Sequence, residues 1–289
     1  MSERRTAVIC DSTSYLPADV LTDRGIEQVS LYVTLEGEQR RETEIGDYAA
    51  FFERLRNSAD GATTSQPSVG DFVSAYRPHL EAGREIASVH ISAAISGTFE
   101  AAQQARRQLA DEGADPDLIQ VHDSRSTCGG MGLSMLGAAK AADAGAGARD
   151  VIAAAEEVRD RLDMWFAVDT LEYLRKGGRI GAARAWVGSA LQIKPILTLE
   201  EEITPVERVR TRRRVFERLV ELGRQLNESG NGAWVVQHIR DPESAERLVA
   251  EGREIFGSDP AFVSEIGPVI GAHTGPGLLG IGGAPAELI

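Results

Sequence analysis

The chain is short of cysteine, of positive charge and of long apolar runs, and each shortage closes off a class of protein. Two cysteines among 289 residues, Cys10 and Cys128, are too few for a disulfide framework. No His/Cys ligand cluster accompanies either one, so each thiol reads as a small buried side chain in a cytosolic setting. No apolar run approaches the roughly 18–20 residues of a membrane span. The opening residues, MSERRTAVICD, pass directly into a strand pattern without the apolar core of a signal peptide. Acidic residues outnumber Lys and Arg by 44 to 31, and a formal charge of −13 argues against a general nucleic-acid binder. Internal repeats and low-complexity tracts are missing too. What is present, 42% hydrophobic and 26% charged residues, describes a soluble globular protein with ample core. The length suits one large α/β domain or two smaller ones.

The most informative stretch runs from Ser88 to Gln103, SVHISAAISGTFEAAQ. It starts as a strand and breaks into small and hydroxylated residues. A helical pattern then follows on Ala102, Ala105 and Leu109. Ser96-Gly97-Thr98 therefore sits where a strand hands over to a helix. Such a junction offers hydroxyls and free backbone N–H groups to an anion. The bland reading is an ordinary helix cap, for which Ser and Thr are favoured on local grounds.

Other connections weigh against the bland reading. Thr6–Cys10 is an apolar strand ending at Asp11-Ser12, and Leu118–His122 is another, ending at Asp123-Ser124. Thr64 and Ser65 lie in the loop before a helix that opens with the capping-box pattern Ser68-Val69-Gly70-Asp71. Gln28–Leu35 alternates as one strand, and Tyr48, Phe51, Phe52 and Leu55 mark a helix face. Alternating strands and helices predict a parallel, doubly wound sheet, whose ligands bind outside the carboxyl ends of its strands. Four hydroxyl-bearing connections at that edge favour a site over mere capping.

The helix around Val151–Leu162 closes a first domain, residues 1–162, and Met164–Val168 opens a second, residues 163–289. Gly177-Gly178 reads as a helix C-terminus, placing Arg179 beyond the turn, where it could point at a ligand or a partner. Lys194–Leu199 and Glu202–Val209 read as paired strands joined through acidic residues. Arg212–Leu226 reads as a helix, Trp234–Ile239 as a strand, and Asp241-Pro242 as the start of another helix. The segment Gly271–Gly277 reads as a glycine-rich turn. Arg208, Arg210, Arg212, Arg213 and Arg214 are either a solvated helix start balanced by Glu207 and Glu217 or a docking patch for an acidic partner.

These motifs together resemble the DegV family: Asp11–Pro17 (DSTSYLP), Thr64–Ser68 (TSQPS), Ile95–Phe99 (ISGTF), Asp123-Ser124, Lys176–Ile180 (KGGRI) and His273–Gly277 (HTGPG). They stand in the family's order and span nearly the whole chain. Ala93-Ala94 departs from a more usual Ser-Gly pair, and Arg175 replaces a common Lys. The resemblance implies two domains, an N-terminal three-layer α/β/α domain with a mainly parallel sheet and a C-terminal two-layer α/β domain with a mixed sheet. It implies that a long-chain fatty acid binds between them and that the protein itself is no enzyme and needs no cofactor. A separate fatty acid kinase would make acyl-phosphate from the presented carboxylate, with transient membrane contact allowed. Thr64 and Ser96 would hold the carboxylate, Gly97 would donate its N–H, and Arg179 and His273 would approach the same group. Arg208, Arg210 and Arg212 would face the kinase.

Simple energetics fit that reading. Each buried CH₂ gains about 0.8 kcal/mol, so a palmitate-length tail supplies on the order of 10 kcal/mol, against about 0.3–2 kcal/mol for an anion at a helix N-terminus. The tail would dominate affinity and the hydroxyls would orient the head group. Two rival classes use the same residues. Ser96, His273 and Asp123 could form a hydrolase triad, but Ser96 lacks the G-x-S-x-G elbow. A nucleotide-binding or kinase-like module would need a phosphate loop, and Ser126–Gly132 lacks its Lys-Ser/Thr ending.

Overall fold

A computed structural model describes residues 5–187, 193–200 and 202–289. The first four residues of the N-terminal run, and Glu201 of the expected acidic turn, lie outside the described residues. In chain order the elements begin with β1 (Thr6–Asp11), α1 (Ala18–Asp23), β2 (Ile26–Val29), β3 (Tyr32–Leu35), β4 (Glu38–Arg41), α2 (Tyr48–Asn57) and β5 (Ala62–Ser65). There follow α3 (Val69–Glu81), β6 (Glu85–His90), α4 (Thr98–Asp111), β7 (Ile119–Asp123), α5 (Cys128–Asp143) and α6 (Ala148–Asp160). Next come β8 (Asp163–Ala167), α7 (Glu172–Lys176), β9 (Lys194–Leu199), β10 (Ile203–Val209) and α8 (Arg212–Glu228). The last are β11 (Ala233–His238), α9 (Pro242–Phe256), β12 (Phe262–Glu265), α10 (Pro268–Thr274) and β13 (Leu279–Ala284).

The chain divides into two units. Unit 1 takes the chain up to Leu31, Ser65–Arg161 and Glu287–Ile289. Its sheet has the order β2-β1-β6-β7, and every described pairing in it is parallel. All six residues of β1 are buried, which requires cover on both faces. Ile9 and Ala7 join Phe72, Tyr76, Ala102 and Leu109 of α3 and α4 in one core cluster. The alternate residues Val8 and Cys10, equally buried, point to the other face, and α5 and α6 pack on this sheet. This is the expected three-layer parallel domain. The capping box forms too: Asp71 N donates to Ser68 Oγ at 3.1 Å, and Ser68 N to Asp71 Oδ2 at 2.8 Å.

Unit 2 takes Tyr32–Thr64 and Leu162–Ala286. Its main sheet, β10-β9-β8-β13-β11-β12, is mixed: β11 and β12 run parallel, and the other pairs are antiparallel. α8 and α9 cover it through Leu219, Leu222, Leu226 and Leu248, which share one core cluster with the fully buried Trp234 of β11. A linear division at residue 162 therefore misplaces residues 32–64 and, at the other end, Glu287–Ile289, the latter belonging to unit 1. Residues 32–64, expected in the first domain, belong to unit 2 because they pack on α10. There the Phe52 ring occupies the space a Cβ at Gly271 would need, and buried Glu42 accepts from Val269 N at 2.8 Å.

Two local expectations change with it. The single strand over 28–35 is interrupted at Ser30-Leu31, where Leu31 N donates to Ser12 Oγ at 3.2 Å. Its first part joins the parallel sheet and its second forms the antiparallel β3–β4 hairpin. The glycine-rich turn at 271–277 is half helical, since α10 runs to Thr274 before Gly275 and Gly277 take positive φ.

Candidate functional site

In unit 1 the Ser96 turn is held by groups that bind its backbone. Asp11, fully buried at the end of β1, accepts from Ile91 N (2.8 Å), Thr13 N (3.0 Å) and Thr13 Oγ1 (2.6 Å), with His90 Nδ1 at 3.3 Å. His90 Nε2 meets Ser88 Oγ at 2.8 Å, and Tyr76 Oη donates to that same oxygen at 2.7 Å. Beyond β6, Ser92 N donates to Ser126 O (2.8 Å) and Ala93 N to Asp123 Oδ1 (3.1 Å). The Asp11-Ser12 and Asp123-Ser124 connections thus build the turn from behind.

Ser96 lies at the entry to α4. Thr98 N donates to Ser96 Oγ at 3.3 Å, and the two hydroxyls of Ser96 and Thr98 lie 2.8 Å apart. Gly97 is the N-cap, exposed, and its N–H has no acceptor among the described residues. A Cβ there would stand 2.9 Å from Gln66 Nε2, so glycine lets the Gln66 amide approach the turn. Four-residue spacing along the sequence could reveal none of this last contact.

In unit 2 the structure brings Thr64, Arg179 and His273 together. Thr64 Oγ1 and His273 Nε2 lie 2.7 Å apart across 209 residues of sequence. The His273 ring fills the space that a Gly177 side chain would occupy, and its Nδ1 is buried without a hydrogen-bond partner. Burial, with the Arg179 charge adding to it, holds the His273 pKa down to about 4 from an ordinary 6.5. The imidazole is therefore neutral at pH 7. A proton on Nδ1 would be a buried donor with no acceptor, so the structure favours the Nε2–H form, donating to Thr64. The Thr64 hydroxyl hydrogen is then available to another acceptor. Arg179 Nη1 donates to Gly177 O at 2.7 Å, closing the turn after α7 in which Gly178 has φ +72°.

Among the described residues no carboxylate is bonded to His273, and Asp123 Oδ1 accepts from the N–H groups of Ala93 and Arg125, so nothing here supports the triad reading. The basic cluster also resolves. Arg212 bonds Asp169 and Asp241, Arg213 pairs with Glu217, and Arg214 reaches Glu217 and Glu221. Arg208 stacks over the Trp186 ring, 4.4 Å from its centroid, and Arg210 is exposed. All three expected docking residues, Arg208, Arg210 and Arg212, are exposed, and Arg212 is also ion-paired within unit 2. Unit 2 also holds a cavity of about 260 Å³ floored by Val33, Leu35, Ile45 and Phe51, with Arg40 and Arg54 in its lining. None of the expected site residues line it. Among the described residues no helix is long and apolar enough to cross a membrane.

Comparison with known proteins agrees with the motifs. Residues 5–286 match the family model described as "Uncharacterised protein, DegV family". The chain belongs to the DegV family. It is 39% identical to a DegV domain-containing protein of Streptomyces coelicolor, over 96% of this chain and 98% of that one. Among solved structures, a fatty-acid-binding DegV family protein from Thermus thermophilus aligns with a TM-score of 0.85 and 32% identity, covering 97% and 99% of the two chains. DegV of Bacillus subtilis, described as a fatty acid binding protein, aligns with a TM-score of 0.84 at 32% identity and the same coverage.

Proposed function

We propose that this protein binds a long-chain fatty acid and presents its carboxylate to a fatty acid kinase, which forms the acyl-phosphate. The carboxylate is taken by the hydroxyls of Thr64 and Ser96 and the N–H of Gly97, with His273 and Arg179 beside Thr64. The observation that carries this reading is the 2.7 Å Thr64–His273 contact: an imidazole kept neutral by burial and protonated on Nε2 donates to Thr64 and leaves the hydroxyl hydrogen for an anion. Neutral donors orient a carboxylate without clamping it, which suits a group that must be handed on. The fatty-acid-binding relatives from Thermus thermophilus and Bacillus subtilis support the choice of ligand. Arg208 and Arg210 are the residues offered to the kinase.

Native mass spectrometry of protein purified from a bacterial host tests this. A co-purified palmitate- or oleate-class acid is expected, and Thr64→Ala with Ser96→Ala is expected to reduce retention at least tenfold. With a fatty acid kinase and ATP, Arg210→Glu is expected to slow acyl-phosphate formation without releasing the acid. Protein that stays ligand-free after incubation with palmitate and oleate overturns the reading.

A further inference from the structure

The segment from the end of β8 through α7 and the segment from the end of α10 towards β13 are joined at three places, each on a glycine. At the first, a Cβ on Gly277 would stand 2.6 Å from Asp169 Oδ2 and 2.7 Å from Arg212 Nη2. At the second, the Tyr173 ring occupies the space of a Gly275 side chain. At the third, the His273 ring does the same at Gly177. Asp169, Tyr173 and Gly177 follow β8 in order, while His273, Gly275 and Gly277 run from the end of α10 towards β13. The two segments are therefore packed side by side, with an ion cluster at one end and the candidate headgroup residues at the other.

That cluster is a chain of ion pairs. Asp169 Oδ1 accepts from Lys194 Nζ at 2.7 Å, Oδ2 accepts from Arg212 Nη2, and Arg212 Nη1 lies 3.2 Å from Asp241 Oδ2. Gly277 N is anchored separately to Ile239 O at 2.8 Å. A carboxylate bound by two cations from β9 and α8 has little freedom, and Gly277 lies directly over it.

We propose that Asp169 and Arg212 are positioning residues that seat the Gly275–Gly277 loop and so set His273 against Thr64. Arg212, on this account, serves the headgroup site and not a partner. The link runs through packing: the influences on His273 are burial and the Arg179 charge, and Asp169 is not among them. Removing the Asp169 charge can therefore reach the ring only by letting the loop move.

The ligand side of this proposal rests on the fatty acid reading, but the ring does not, so the primary readout is made on ligand-free protein. Full-length ¹⁵N-labelled protein is observed by NMR, with the His273 ring signals assigned against His273→Gln. Asp169→Asn is expected to shift those signals and raise the His273 midpoint by roughly one pH unit as the ring loosens. Gly277→Ala, which changes no charge, is expected to move them the same way. Arg212→Lys, retaining a cation, is expected to move them less than Arg212→Gln. Palmitate affinity of Asp169→Asn is expected to fall roughly tenfold. A lowered melting temperature with unmoved His273 signals in folded Asp169→Asn and Gly277→Ala would mean a merely structural cluster and overturn the proposal. If Asp169→Asn does not fold, Gly277→Ala and the Arg212 pair decide alone. Shifted ring signals in a protein that binds no palmitate even as wild type would sink the fatty acid reading and leave this inference standing.

Discussion

In unit 1 the Ser96 turn is held by added groups: two carboxylates and a backbone carbonyl from neighbouring strand ends accept from its backbone N–H groups. In unit 2 the His273 ring is held by missing ones, with glycines at 177, 271, 275 and 277 each opening space for a side chain from another segment. The first scheme stores its specificity in hydrogen bonds, which fail sharply when an acceptor is removed. The second stores it in shape, which fails when an atom is added. Opposite substitutions should therefore break the two arrangements.

The largest effect is expected from Asp11→Ala. The carboxylate is fully buried and serves three donors from Thr13 and Ile91 beside His90. Its loss leaves those donors unsatisfied and should cost about 3–5 kcal/mol by chemical denaturation. His273 NMR signals in the folded variant should stay in place, since the damage lies in the other unit's scheme. Gly177→Ala is the converse test. The new methyl meets the His273 ring, and overpacking at that buried contact should cost about 3 kcal/mol and separate His273 from Thr64. Gly178→Ala sharpens the result: its Cβ would meet nothing, so only its positive φ matters, at about 1 kcal/mol with the Thr64 bond intact. Equal losses in the two glycine variants would show that backbone strain, and not the ring contact, governs unit 2.

The same contrast explains what the sequence could tell. Ser96-Gly97-Thr98 was legible because a cap is local: strand pattern, hydroxyls and helical period lie within sixteen residues. The Ser68–Asp71 capping box and the Asp241-Pro242 helix start were legible for the same reason. Thr64 and His273 could be named only through family motifs, because no pattern within a window joins residues 209 apart. Gly271 misled the reading of its own segment. Its glycine serves the Phe52 ring, so a helix looked like a turn. Alternation over 28–35 misled in another way, since a period of two persists when a chain leaves one sheet for another. Asp169 gave one usable signal, its place just past a strand end. Its pairing with Arg212 spans 43 residues and gave none.

Acid offers the gentlest probe of the comparison, because it acts on His273 without changing any atom of the packing. The ring's pKa falls from about 6.5 in the unfolded chain to about 4 in the folded protein, so the unfolded chain takes up the proton more readily. Stability from this group is complete above about pH 6.5 and is lost as pH falls through the window towards 4. Between about pH 7 and pH 5 the loss amounts to about 2 kcal/mol. Burial also lowers the pKa of His122 and His238, so the wild type alone cannot isolate the effect. The difference between wild type and His273→Gln, followed by urea denaturation across that range, does. That difference should narrow by about 2 kcal/mol towards pH 5. A difference that ignores pH would mean that the folded ring accepts its proton as easily as the unfolded one. The Thr64 hydroxyl would then face a cation below about pH 6.5, and the packing of unit 2 would no longer be what keeps its neighbour neutral.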